Sequence, residues 1–194
     1  MHIETKRVLF ILAAATLAAG CLGPAPKAPT YWTVGPIEAK VVCADEPKWE
    51  AVRLSRLEVR APYDAQRLAV LRPDGTIAFD PENSFAAAPA ALLGGAAFDV
   101  LSASGMASSA VAAHSAATGA NLLEVTVTRF ALDCRMSGSR KALVALTAVL
   151  VDGRKGRVLS ATRAEASEDA AHGNYTSAFS SAFAKAMADA LKDL

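Results

Sequence analysis

Between Asn121 and Thr162 apolar residues recur with the two-residue period of a β-strand, and this stretch limits what the rest of the chain can build. Leu123, Val125 and Val127 alternate with Glu124, Thr126 and Thr128, so one side of the strand is apolar and the other polar. At Arg129 the alternation slips by one residue before Phe130 and Leu132 continue it. An extra residue moves every following side chain to the other face, so the slip predicts a β-bulge. Ala142 to Val151 is apolar on both phases, Leu143, Ala145, Val149 and Val151 on one and Val144, Leu146, Ala148 and Leu150 on the other. Such a strand is expected to be covered on both faces. The glycine-bounded loop Asp152-Gly153-Arg154-Lys155-Gly156 then leads into a returning strand, Val158 to Glu165.

A sheet with an apolar side needs a partner layer, and the end of the chain supplies one. Tyr175, Phe179, Phe183, Met187 and Leu191 fall at four-residue steps flanked by Ala182, Ala186 and Ala190, which predicts an amphipathic helix from Tyr175 to Asp193 with Asn174 as its cap. Core packing explains this aromatic stripe better than a ligand does. A second helix is expected from Ser84, where Phe85, Ala88, Leu92, Leu93, Ala96, Val100 and Leu101 recur at three- and four-residue spacings, although Pro89 and Gly94-Gly95 weaken the pattern. Shorter strands are expected at Tyr31 to Val34, Ile37 to Cys43, Arg56 to Arg60 and Ala107 to Ala112. Arg67 to Leu71 and Thr76 to Phe79 flank Arg72-Pro73-Asp74-Gly75, whose residues favour a tight turn, so they form a hairpin. The fold class that follows is α+β, with two main helices packed on an antiparallel or mixed β-sheet.

The N-terminus says where such a domain is delivered. Lys6 and Arg7 precede an apolar run from Val8 to Ala19, and Ala19-Gly20 puts two small residues before Cys21. The run is too short for a permanent transmembrane helix and has the layout of a secretory signal. Leu17-Ala18-Ala19-Gly20-Cys21 reads as a lipobox, with Ala18 where a larger aliphatic residue is usual. Residues 1–20 are thus assigned to a signal peptide, 21–30 to an acylated cysteine and a proline-rich flexible linker, and 31–194 to one domain. Cys43 and Cys134 remain, an even number in a compartment that permits disulfides. Bridged, they would enclose residues 44–133 and stabilise by about 4–5 kcal/mol in the chain-entropy model; the alternative is two unrelated buried thiols.

Charge and motifs exclude more than they assign. The whole chain carries a formal charge of +1, and removal of residues 1–20 takes two basic and one acidic side chain with it, leaving a neutral domain. No nucleic-acid partner is implied. His114 and His172 lie far apart, so no metal site is assigned. The chain has no Gly-x-Ser-x-Gly elbow, Walker loop or Gly-x-Gly-x-x-Gly run, and no cofactor or catalytic residue is assigned. Asp80, Glu82, Glu165, Glu168 and Asp169 are the carboxylates from which an acid/base pair could be drawn, but nothing in the sequence brings two of them together.

With these segments in place the chain resembles the ABC-type transport auxiliary lipoproteins, the group that includes paraquat-inducible protein C. Tyr31-Trp32-Thr33-Val34 is similar to that family's Tyr-Tyr-x-Leu entry. Leu57-Glu58-Val59-Arg60-Ala61-Pro62-Tyr63, then Arg67-Leu68-Ala69-Val70 and Ile77-Ala78-Phe79-Asp80, resemble its strand ending near a proline and its hairpin. Asn83-Ser84-Phe85-Ala86 through Leu93 resembles its first helix, with Phe85 where tryptophan is usual, and Leu123 to Phe130 and the closing helix are similar to its second half.

The resemblance implies a noncatalytic lipoprotein, held by its acyl chains at the outer membrane and facing the periplasm. Its implied partners are an MCE-domain substrate-binding protein and an ABC permease and ATPase that move lipids. Leu22 rather than aspartate after Cys21 agrees with outer-membrane sorting. The alternative is an envelope assembly or scaffold lipoprotein unrelated to ABC transport, because one fold serves many functions. A homo-oligomer is also open, since the doubly apolar strand Ala142 to Val151 suits either an oligomer face or burial under both helices. Replacing the acylated thiol, Cys21→Ser, is expected to abolish palmitate incorporation and move an otherwise folded domain out of the membrane fraction. Retention in that fraction with normal function would rule out the tether.

Overall fold

A computed structural model describes residues 27–37, 46–170 and 173–194. The described residues form one eight-stranded mixed sheet and two helices. In chain order these are β1 (Thr30–Trp32), β2 (Trp49–Val59), β3 (Arg67–Leu71), β4 (Ile77–Phe85), α1 (Pro89–Ala103), β5 (Ala107–Val111), β6 (Asn121–Asp133), β7 (Lys141–Val151), β8 (Val158–Asp169) and α2 (Tyr175–Lys192). The mixed sheet with two helices packed on it agrees with the α+β expectation. Cys21, the linker up to residue 26, Cys43 with most of the expected strand from Ile37, and His172 lie outside the described residues.

β6 is the hub. One of its edges pairs antiparallel with β7 along its length. The other is shared, Asn121 to Val127 running parallel to β2 and Leu132 to Asp133 parallel to β3. The sheet therefore branches: β5 lies outside β2, β4 and then β1 lie outside β3, and β8 closes the far side on β7. The expected bulge is present, since Val127 pairs with Leu146 and Arg129 with Ala145, leaving Thr128 as the extra residue. Its consequence is that Leu123, Val125, Val127, Phe130 and Leu132 are all buried on one side of the sheet.

Both helices lie on that side. α2 packs on β7 and β8, α1 packs on β2 and β5, and the two helices touch each other. Phe130 of β6 meets Phe179 of α2 with ring centroids 4.7 Å apart, and Phe85 of β4 stands 4.9 Å from Phe130 and 5.5 Å from Phe179. Centroid separations of this size are the favourable range for aromatic pairs, and the triad fastens three elements distant in sequence. Trp32 adds a fourth element: its ring meets Tyr175 edge-on at 5.1 Å, and its indole N–H donates to Asn83 Oδ1 at 2.8 Å. Burial pushes the Tyr175 phenol above its usual pKa.

Two expectations are corrected. The first helix starts at Pro89, not Ser84; Asn83, Ser84 and Phe85 belong to β4, where they pair with Thr30, Tyr31 and Trp32 of β1. Proline sits in the first turn of α1, where no partner for its missing N–H is needed. The helical spacing of Phe85 was coincidental, because an inward position on a strand needs an apolar residue too. The second correction concerns β7, whose second phase is covered only in part. Ala142, Val144, Leu146, Ala148 and Leu150 face the helices and are fully buried; on the other phase Leu143 and Ala145 are buried too, whereas Thr147, Val149 and Val151 are half-buried.

The turns match their chemistry. In the β3–β4 turn Gly75 has φ +81°, and Asp74 Oδ1 accepts from the Thr76 N–H at 2.9 Å. Between β7 and β8 the Asp152 carboxylate accepts from the N–H groups of Arg154 and Lys155 at 2.9 and 3.0 Å. Gly153 is pressed against the Ala120 carbonyl so tightly that a Cβ would occupy the oxygen's place.

Stability should follow these contacts. Phe179→Ala is expected to cost about 3–5 kcal/mol by emptying the aromatic triad, and Gly153→Ala to destabilise by displacing the backbone of residue 120. Gly95→Ala, at an exposed helical position with open space around it, should instead stabilise by about 1 kcal/mol. Urea unfolding midpoints of the three variants check the order.

Candidate functional site on the uncovered sheet face

The face opposite the helices is the part of the sheet with exposed and half-buried side chains, although Ala131, Leu143 and Ala145 on it are buried. Successive residues of a strand point to opposite faces, so the apolar phase of β6, β7 and β8 sends the complementary phase outward. Cross-strand register then builds rows on this face. Glu58, Thr126, Thr147 and Arg163 form one row, and Arg129, Ala145 and Glu165 form the next. Arg60 joins the second row at the end of β2, its N–H donating to the Val127 carbonyl at 2.9 Å. Together they outline an open groove of about 700 Å³ floored by Thr126, Thr128 and Thr147 and flanked by Arg60, Arg129 and Arg163.

Hydrogen bonds fix the floor. Thr126 Oγ1 donates to Glu58 Oε1 at 3.2 Å and Thr128 Oγ1 to the Ala145 carbonyl at 3.2 Å. Arg129 is held by Glu165 at 2.8 Å, and Glu58 also receives Arg56 at 2.5 Å. Both pairs are largely solvated, so their value lies in orientation more than in stability. Arg60 and Arg163 have no carboxylate within 4 Å among the described residues. A face with two uncommitted guanidinium groups beside hydroxyls can receive an anionic group through charge-assisted hydrogen bonds.

At the far end of β6, Asp133 is gripped by one arginine. Arg135 Nε donates to Oδ1 at 2.9 Å and Nη2 to Oδ2 at 2.7 Å, and the Arg135 backbone N–H adds a bond of 3.0 Å. Hydrogen bonding from the guanidinium holds the Asp133 carboxyl below its usual pKa against a smaller opposing effect of burial.

The residues singled out from sequence do not converge. Cys134, at the end of β6, is half-buried, and its N–H donates to the Leu71 carbonyl at 3.0 Å. Its bridging to Cys43 involves a residue outside the described ones. His114 is exposed in the segment after β5. Among the carboxylates, Asp80 Oδ1 accepts from the N–H groups of Glu82 and Asn83 at 2.8 and 3.0 Å. Glu165 points to the open face, while Glu168, on the opposite phase of β8, reaches Lys185 of α2 at 3.3 Å. Among the described residues no three His, Cys, Asp or Glu side chains are grouped to hold a metal ion. None of the described helices is long and apolar enough to cross a membrane. Arg60, Arg129 and Arg163 were not among the candidates from sequence. Their signal is the polar phase of three strands, meaningful only once those strands are known to be neighbours.

No protein-family model matches the chain, and no curated protein matches it. Solved structures do show likeness. Protein XCC0632 from Xanthomonas campestris, described under family model DUF330, is 18% identical, with a TM-score of 0.56 over 86% of this chain and 90% of that one. An uncharacterized protein is 13% identical, with a TM-score of 0.63 over 85% of this chain and 95% of that one. A PelC dodecamer from Paraburkholderia phytofirmans is 18% identical, covering 84% of this chain and 95% of that one, but its TM-score of 0.45 is too low to build on. The first two share this fold.

The Asp133 contact gives a pH test. A carboxyl whose folded pKa is lowered stabilises the fold above its unfolded pKa, and that contribution is lost as pH falls through the folded value. Asp133→Asn is therefore expected to destabilise near neutrality by about 1 kcal/mol or less, since Arg135 is half-exposed. The gap to the wild-type protein should close below the usual carboxylate range. Urea midpoints at about pH 7 and about pH 2.5 measure it.

Proposed function

We propose that this chain is a noncatalytic, lipid-anchored accessory of an ABC transport system that moves lipids across the envelope, with an MCE-domain protein as its substrate-binding partner. The acyl chains on Cys21 hold it at the outer membrane, and the domain from Tyr31 onward faces the periplasm. The observation that carries this reading is the lipobox followed by a domain whose family-like segments belong to one sheet-and-helix unit. Leu57 to Tyr63 supplies the end of β2 and the loop after it, Arg67 to Asp80 the β3–β4 hairpin, Leu123 to Phe130 the first half of β6, and the C-terminal segment α2. The fold shared with protein XCC0632 agrees with it. The uncovered face supplies a surface for contact: its groove is lined by arginine and threonine, which suits a polar, partly anionic protein or headgroup surface.

The role of the face is to bind and not to transform. Arg129 is neutralised by Glu165 at 2.8 Å, and Glu168 is drawn to the helix side by Lys185, so these two β8 carboxylates act as ion-pair partners. Purification of the tagged full-length protein from detergent-solubilised membranes is expected to bring down the MCE protein with its permease and ATPase. Deletion of the gene is expected to weaken the envelope's permeability barrier. Recovery of lipopolysaccharide-insertion or cell-wall components without the transporter would favour the scaffold alternative and overturn this reading.

A further inference from the structure

The last strand leaves a long edge whose hydrogen-bonding direction can be read from one contact. The Ala170 N–H donates to the Arg140 carbonyl at 2.8 Å, and the antiparallel register runs on without a break from Lys141 opposite Asp169 to Val149 opposite Ala161. Bonded and non-bonded pairs alternate along such a ladder. The even-numbered residues of β8, Thr162, Ala164, Ala166 and Glu168, therefore turn their main-chain groups toward β7. Ala161, Arg163, Glu165 and Ser167 turn theirs outward. Among the described residues β8 pairs with β7 alone, and no proline interrupts its 12 residues. A long edge of this kind is a template for another strand.

The sequence along this edge is self-complementary. Antiparallel pairing about a two-fold axis at Ala164 sets Arg163 opposite Glu165 of a second copy, and Glu165 opposite its Arg163. Ala161 and Ser167 meet in the same way. All four are outward-turned residues, so they fall at the bonded positions of the new ladder, about eight main-chain hydrogen bonds in all. Ala164 meets its own counterpart at the narrow non-bonded position, where Cα atoms approach to about 4.5 Å and a small side chain fits. Arg163 has no carboxylate within 4 Å in its own chain among the described residues, and Glu165 of the second copy, shared with that copy's Arg129 as it is within this chain at 2.8 Å, brings one opposite it. A register shifted by two residues in either direction loses the reciprocal Arg163–Glu165 contacts.

We propose that two copies of this chain join edge to edge through β8, antiparallel about Ala164, forming one continuous sheet. This goes beyond the transport reading and is independent of it. The test uses the full-length acylated protein in detergent, with its mass followed by sedimentation across a concentration series. A monomer–dimer equilibrium is expected. Arg163→Glu and Glu165→Arg each place like charges opposite one another twice, so each should weaken association about tenfold. The double charge swap should restore it.

Ser167→Pro removes an outward N–H at a site where a folded edge strand tolerates proline; it should abolish the dimer and leave the far-ultraviolet circular dichroism unchanged. Ala164→Cys should cross-link two copies under mild oxidation, while Thr162→Cys, which faces Ala166 of the second copy, should not. A monomer at every concentration overturns the proposal. So does association that ignores both reversals, or a double swap that fails to rescue. Slow amide exchange at residues 161, 163, 165 and 167 in a monomer would mean that the chain's own residues cover the edge, and would overturn it equally.

Discussion

The bulge at Thr128 is the constraint on which the rest of the structure depends. β6 has 13 residues and must serve β2 and the helices with its first half, and β3 and the aromatic triad with its second. A regular strand would send Phe130 and Leu132 to the open face if Val125 and Val127 faced the core. One extra residue restores the phase. Phe130 can then meet Phe179 at 4.7 Å, which positions α2, and through Phe85 it positions the end of β4. Thr128 itself, the residue left over, places its hydroxyl on the Ala145 carbonyl and helps floor the groove. Core and candidate site are thus two results of a single insertion.

What the sequence made legible was local. Strand β6 with its slip, strand β7, the returning strand, the hairpin around Pro73-Asp74-Gly75 and the final helix are all written in short-range periodicity, and the structure contains each, with the second hairpin strand running on from Phe79 to Phe85 and the returning strand from Glu165 to Asp169. Errors arose where distant pairing decided. Ser84 and Phe85 read as helix because Phe85 is three residues before Ala88, but these residues are held extended by β1, more than fifty positions upstream. Strand β7 read as covered on both sides because apolar composition cannot distinguish burial under a helix from half-burial among neighbouring strands. Parallel pairing of β2 with both β5 and β6 has no signature in either partner's sequence. The arginine-flanked groove was invisible for the same reason: Arg60, Arg129 and Arg163 become neighbours only through the order of the strands.

One-sided cover gives the two faces different duties. The helix face is a closed core, with Leu146, Phe179, Phe183 and Met187 shielded almost completely, and a substitution there acts on stability. The opposite face has ion pairs that are largely solvated, threonines of moderate exposure and two uncommitted guanidinium groups. Changes there cost little folding energy, as expected for surface positions outside the core. Such a face can be reshaped by substitution without disturbing the fold.

Strand β1 and the outer edge of β8 lie at opposite ends of the sheet among the described residues. The path β1-β4-β3-β6-β7-β8 crosses five inter-strand gaps, about 24 Å at the usual spacing. The described chain enters the sheet at β1, where Trp32 is locked between Asn83 and Tyr175. Copies confined to one membrane surface meet at a far higher effective concentration than the same number of copies free in solution. An edge contact of about eight main-chain hydrogen bonds, each of modest net value, can therefore be weak in detergent and still dominate on the membrane. In that arrangement the proposed anchor on Cys21 would do more than locate the domain, because it would set the concentration at which the sheet edges encounter one another.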